Sequence, residues 1–162
     1  MNQQEKTAPI VLFVFKRPQH VLKTLESLMA NELASESVLY IYADGPKENS
    51  SESEIAQINE VRKVIRQKQW CKEVHIIEAE NNKGLAKSII DGVTEIVNKL
   101  EKVIVIEDDL IFSPFFLRFM NESLSFYENH EKVMHITGHS FPLNEISSPF
   151  NKIKGDTYFL TY

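Results

Sequence analysis

Four short apolar runs recur along the chain: IVLFVF at 10–15, VLYIYA at 38–43, VHIIEA at 74–79 and VIVIE at 103–107. Each is followed by a polar cluster and then by apolar residues at helical spacing. Runs of this length, rich in β-branched and aromatic residues, suit buried strands, and the helical stretches between them are the long crossovers that parallel neighbours require. The alternation restricts the chain to an α/β sandwich, a mainly parallel central sheet with helices on both faces. Pro18 fits the first turn of a helix bearing Val21, Leu22, Leu25, Leu28 and Met29. A serine-rich start introduces a second helix with Ile55, Ile58, Val61 and Ile65 on one face, and Leu85, Ile89, Val93, Ile96 and Leu100 stripe a third. Ser113 and Pro114 predict the cap and first residue of a fourth helix, PFFLRFMNESLSFYEN. KVMHITGHS and DTYFLTY read as later strands, joined by a Pro-, Ser- and Asn-rich loop.

The 162 residues, 43% hydrophobic and 25% charged, suit one domain over 8–162 behind a flexible N-terminus at 1–7. A net charge of -5 supplies no broad basic surface, so nucleic acid is not an expected partner. The apolar runs fall far short of the ~20 residues of a transmembrane helix. The opening MNQQEKTAP lacks the order of a signal peptide, so a cytoplasmic location is expected. The single cysteine, Cys71, excludes an intrachain disulfide and any cysteine-rich zinc site, and is read as packing beside Trp70.

Ligands of open α/β sheets sit outside the carboxyl ends of the strands. Polar residues gather there after all four runs: Lys16-Arg17, Asp44-Gly45-Pro46, Glu80-Asn81-Asn82-Lys83-Gly84 and Glu107-Asp108-Asp109. On an extended backbone Glu107 and Asp109 face one way and Asp108 the other, so like charges repel unless a cation or a donor sits between them. A divalent metal answers that, completing its shell with water and substrate phosphates, which implies a nucleotide diphosphate ligand. The plainer reading is a set of solvated or helix-capping acids. Lys16-Arg17 is either a phosphate clamp or a solvated basic pair. Asp44 is either a hydrogen-bond acceptor for a base or ribose, or a turn residue. Gly84 lets the third strand turn closely into its helix beside a ligand. NNKGLAKS lacks the phosphate-loop spacing, because Ala86 precedes Lys87, and no G-x-G-x-x-G occurs. His135 and His139 have zinc-like spacing, with Gly138 between them and no evident third ligand.

In this order, IVLFVFKRPQHVLKTLESL, YIYADGPK, NNKGLAKSIIDGV and VIVIEDDLIFSPFFLRFM resemble the nucleotide-sugar-binding half of GT-A glycosyltransferases. The resemblance is to the N-acetylglucosaminyltransferase I-like group and its bacterial relatives. It covers most of the chain, and its most specific element is the Glu-Asp-Asp form of that fold's Asp-x-Asp motif. It implies a Rossmann-like GT-A sandwich and a metal-dependent glycosyltransferase. Such an enzyme would carry a sugar from a nucleotide diphosphate, a UDP-sugar by preference, to a glycan or other hydroxyl acceptor with inversion. By the same resemblance Asp109 would hold Mn2+ or Mg2+ against the donor diphosphate, with Glu107 and Asp108 touching the ribose and the transferred sugar. Asp44 would contact the base and Arg17 the phosphates, and Lys83 and Gly84 would line the nucleotide pocket. Ile89 and Ile90 stand where many relatives carry polar groups, which leaves the base open. Relatives continue into an acceptor-binding half, so a chain truncated at its C-terminus is expected and no catalytic base is assigned. Glu145 and Asp156 sit in no recognisable motif.

Two function classes follow: a glycosyltransferase domain, and a nucleotide-sugar-binding module or fragment without turnover. A phosphorelay receiver domain fits poorly, since it needs its acidic pair after the first strand. A sugar nucleotidyltransferase lacks its expected glycine-rich basic loop there.

Overall fold

The computed structural model describes residues 7–138. Ile10–Val14 (β1), Val38–Ala43 (β2), Glu73–Glu78 (β3) and Ile104–Glu107 (β4) form an all-parallel sheet in the order β3-β2-β1-β4. The chain builds outward from β1 to β3 and then crosses back to place β4 on the other side of β1. That reversal opens a crevice at the carboxyl ends of β1 and β4. The register aligns those ends, with Val14 opposite Ala43, Ala43 opposite Glu78 and Phe13 opposite Glu107.

Every residue of β1 is buried, which is why its sequence runs apolar without alternation. Ile10, Leu12 and Val14 share one core with Pro18–Met29 (α1), Glu52–Val64 (α2) and Phe116–Tyr127 (α4). Val11 and Phe13 point the other way, into a smaller core with Leu85–Leu100 (α3). Helices therefore cover both faces. α1 buries Val21, Leu25 and Leu28, while Met29 stays exposed. α2 buries Ile58, Val61 and Val64 and leaves Ile55 exposed, so its inward face is turned slightly from the one expected. Its start is a capping box, in which the Ser51 hydroxyl accepts from the Glu54 N–H at 3.2 Å and the Glu54 carboxylate accepts from the Ser51 N–H at 3.2 Å. Close packing of α3 on the sheet rests on Gly92, where an added Cβ would lie 3.0 Å from the Phe13 ring.

Some boundaries differ from the sequence reading. Thr7, placed in the flexible N-terminus, is tied down by its hydroxyl, which donates to the Glu36 carbonyl at 3.1 Å. α4 begins at Phe116, two residues after Pro114, and Ser113 contributes its carbonyl to the Phe116 N–H rather than a side-chain cap. The reason lies in long-range contacts: the Asn31 side chain accepts from the Leu117 N–H at 3.0 Å, supplying from α1's end what a local cap would. Residues 133–138 of KVMHITGHS form no strand; Ile136 packs against the larger core and Gly138 lies against Phe116 and Met120. DTYFLTY, His139, Glu145 and Asp156 lie outside the described residues. Among the described residues no helix is long and apolar enough to cross a membrane.

Cys71 is buried in the larger core together with Trp70, and burial pushes its thiol up to about 12. Thiolate, the reactive form, is therefore absent near neutrality. A disulfide reagent at pH 8 is expected to leave the native protein unlabelled and to label it fully in guanidinium chloride. Fast labelling of the native state would place Cys71 at the surface.

Candidate functional site

A cleft of about 400 Å3 lies at the carboxyl ends of the strands, and Arg17, Asp44, Gly84, Glu107 and Asp108 all line it. Lys83 and Asp109 stand beside it, joined to lining residues by hydrogen bonds. Sequence positions up to 92 residues apart thus meet in one place.

The acidic turn comes first. β4 ends at Glu107, and the chain turns at Asp108 and Asp109 instead of continuing extended. The turn overrides the strict alternation read from the sequence and brings Asp108 and Asp109 to the same partner, the Arg17 guanidinium. Arg17 Nη2 donates to Asp108 Oδ1, Nε to Asp108 Oδ2 at 3.4 Å, and Nη1 to Asp109 Oδ2 at 3.2 Å. The Asp108 side chain is 7% exposed, whereas those of Arg17 and Asp109 are 47% and 42% exposed. Burial pushes the Asp108 carboxyl above the usual carboxylate range, and the guanidinium beside it pulls the other way. Glu107 is exposed and lies at the cleft, next to Phe13 in the sheet.

The two basic residues after β1 part company. Lys16 pairs with Glu54 at the start of α2, and that ion pair, followed by the Ser51 N–H, holds the Glu54 carboxyl below its ordinary value. Of the two, it is Arg17 that bonds to Asp108 and Asp109.

Asp44 has the densest set of partners. Its Oδ1 accepts from the Gly45 N–H at 2.9 Å and the Lys83 N–H at 2.8 Å; its Oδ2 accepts from the Gly84 N–H at 3.1 Å and the Asn82 amide at 2.9 Å. A carboxylate has about four lone-pair sites, and four donors fill them. The end of β2 is thereby latched to the turn from β3 into α3. Close approach there demands Gly45, where an added Cβ would lie 2.7 Å from the backbone of Ala79 and Asn81. Gly84 is required for a different reason: at φ 79° and ψ 152° it occupies backbone space that only glycine enters freely, while open space surrounds it.

The remaining wall is apolar and aromatic. Phe13 and Tyr42 stack with ring centroids 5.4 Å apart, and the Tyr42 hydroxyl donates to Glu95 Oε2 at 3.1 Å. Burial, then the bond to Glu95, pushes the Tyr42 phenol up to about 12, so it stays neutral at physiological pH. Leu85, the first member of the α3 stripe, is 62% exposed because the stripe runs past the sheet and out over the cleft. Val14, Phe15, Lys16, Lys47, Asn82 and Ser88 complete the lining. Of these, the sequence placed only Lys16 and Asn82 at the ligand-binding rim, in the clusters Lys16-Arg17 and Glu80-Asn81-Asn82-Lys83-Gly84. The available signal was positional, for Phe13 and Tyr42 sit one residue before the ends of β1 and β2, Phe15 directly follows β1, and Asn82 sits in the turn before Gly84.

A hard divalent ion needs oxygen ligands. Among the described residues no group of three or more His, Cys, Asp or Glu side chains could hold one. Asp109, half-exposed beside a cleft with Glu107 and Asp108, fits the other arrangement, in which one or two carboxylates bind the ion and water and phosphate oxygens supply the rest. The chain matches no protein-family model and no curated protein.

Proposed function

We propose that the cleft binds a nucleotide-diphosphate sugar, a UDP-sugar by preference, and that the protein transfers the sugar to the hydroxyl of a glycan or other acceptor. One observation carries the reading: at the reversal point of a parallel sheet, a stacked aromatic wall, an arginine and an acidic turn converge on a single cleft. A flat base suits the Phe13 and Tyr42 side, since aromatic rings favour offset stacking. Arg17 and Lys47 suit the phosphates, Arg17 through its planar fork of N–H donors and Lys47 as a point charge. Asp44, Asn82 and Gly84 shape the turn that forms one wall. Glu107 is an acceptor within reach of sugar hydroxyls in the same cleft.

Mn2+ or Mg2+ held at Asp109 would supply positive charge where it accumulates on the departing diphosphate. Arg17 adds preorganised N–H donors at that end of the cleft, an electrostatic contribution that needs no proton transfer.

Calorimetry with a panel of nucleoside diphosphates and their sugars, with and without manganese, tests the reading. Binding is expected to require the ion, and Asp109→Ala to abolish that requirement together with most of the affinity. Absence of binding by every diphosphate would reject the cleft as a donor site. Metal dependence unchanged in Asp109→Ala would move the ion to other ligands. Assaying release of free nucleoside diphosphate then separates a transferase from a module that binds without turnover.

A further inference from the structure

We propose that Arg17 is an internal counter-ion whose exchange between Asp109 and the donor's phosphates makes divalent-ion binding and diphosphate binding depend on each other. The inference rests on the donor-site reading above and adds a rule for how the site fills.

The geometry is lopsided. Two nitrogens of the guanidinium engage Asp108, whose side chain is 7% exposed, and a third reaches Asp109 at 3.2 Å across an exposed gap. Removing a partner from a buried ion pair strands a charge in a poor solvent for it, whereas an exposed pair is nearly neutral in free energy. The Asp108 limb is therefore the anchor and the Asp109 limb is the part that lets go. Guanidinium carries five N–H donors, so one edge can stay on Asp108 while the other turns to a phosphate.

With Arg17 on Asp109, a divalent ion arriving alone meets a competing cation at its own ligand. A diphosphate arriving alone can draw Arg17 to itself only by leaving Asp109 without its counter-ion beside the exposed Glu107. When both arrive, Arg17 transfers to phosphate, Asp109 is released to the ion, and every charge acquires an opposite neighbour. Coupling between two ligands is reciprocal, and a factor of about 5 to 150 is ordinary.

Manganese chloride alone, followed by the electron paramagnetic resonance of free ion, reads the masking directly. Arg17→Met is expected to bind manganese at least about fivefold more tightly than the wild type, because the competitor is gone. Uridine diphosphate is the second probe. In the wild type it should tighten manganese binding beyond what association of the two in solution explains, and in Arg17→Met this coupling should shrink toward none. Manganese affinity that is equal or weaker in the variant overturns the proposal, as does undetectable manganese binding by both proteins. If manganese tightens as expected but uridine diphosphate and the other diphosphates bind nowhere, Arg17 masks the acid and it is the donor-site reading that fails. Should Arg17→Met not fold, Asp108→Asn and Arg17→Met/Asp108→Asn form the pair to compare. Neither leaves a buried charge unpartnered, and the same ordering of manganese affinities is required.

Discussion

Asp44→Ala is expected to weaken nucleoside diphosphate binding by about ten- to a hundredfold, equivalent to about 1.4 to 2.8 kcal/mol. The carboxylate holds the backbone N–H groups of Gly45, Lys83 and Gly84 and the Asn82 amide, and alanine removes that acceptor from all four at once, leaving the Asn82 amide its bond to the Gly45 carbonyl at 3.1 Å. Hydrogen bonds to a charged group contribute about 1.5–3 kcal/mol each, and water recovers part of that at a half-exposed site. An unlatched turn lowers the fraction of molecules with a formed cleft, and apparent affinity falls by that fraction. This separates the latch from the direct base contact that the resemblance implies. A latch makes the loss uniform across uridine, adenosine and guanosine diphosphates, and Asn82→Ala should show a milder version. A loss confined to one base would return Asp44 to the role of a reader. Unchanged binding of every diphosphate would remove it from both roles.

Trp70→Ala should be the most destabilising single substitution proposed here, at about 3–5 kcal/mol. The indole is fully buried between the end of α2 and the start of β3, and its N–H donates to the Ile65 carbonyl at 2.9 Å. Alanine leaves a large void and an orphaned carbonyl. Total stabilities of domains are about 5–15 kcal/mol, so the loss would be a large share of the whole. The melting temperature should fall by roughly 2–4 °C for each kcal/mol in a chain of this size. Because Trp70 is the chain's single tryptophan, unfolding has to be followed by circular dichroism and not by indole fluorescence. Trp70→Phe keeps most of the volume and should lose clearly less. A loss below about 1 kcal/mol for the alanine variant would contradict the packing described.

The architecture was largely legible in the sequence. Strands buried on both faces must be apolar throughout, as β1 is, and helices covering them must be striped, as α1 and α3 are. The candidate site was legible as an address, because a parallel sheet delivers every strand's carboxyl end to one rim. Arg17, Asp44, Gly84, Glu107 and Asp108 line the cleft there, with Lys83 and Asp109 alongside. The capping box of α2 was also written locally, in Ser51 and Glu54, although its reading stopped at a serine-rich start.

Partnership was not legible. Nothing near Asp44 in sequence announces that its oxygens are filled from a turn 38 to 40 residues away. Lys16 and Arg17 look equivalent as neighbours, yet one goes to α2 and the other to the acids, because adjacent side chains leaving a strand end diverge. Ser113 and Pro114 carry a strong local start signal for α4, yet the helix starts at Phe116, where Asn31, just past the end of α1, accepts from the Leu117 N–H.

Periodicity and turn chemistry are short-range properties, fixed by dihedral preferences within a few residues, so the chain alone determined its strands, its helices and the rim where its polar residues collect. Which charge neutralises which is a long-range property. It depends on the strand order β3-β2-β1-β4, which sets β4 beside β1 and so puts Asp108 and Asp109 within reach of Arg17. Hydrogen bonds require near contact, and the attraction between exposed charges is screened over about 10 Å of salt solution, so only the folded chain brings those groups close enough.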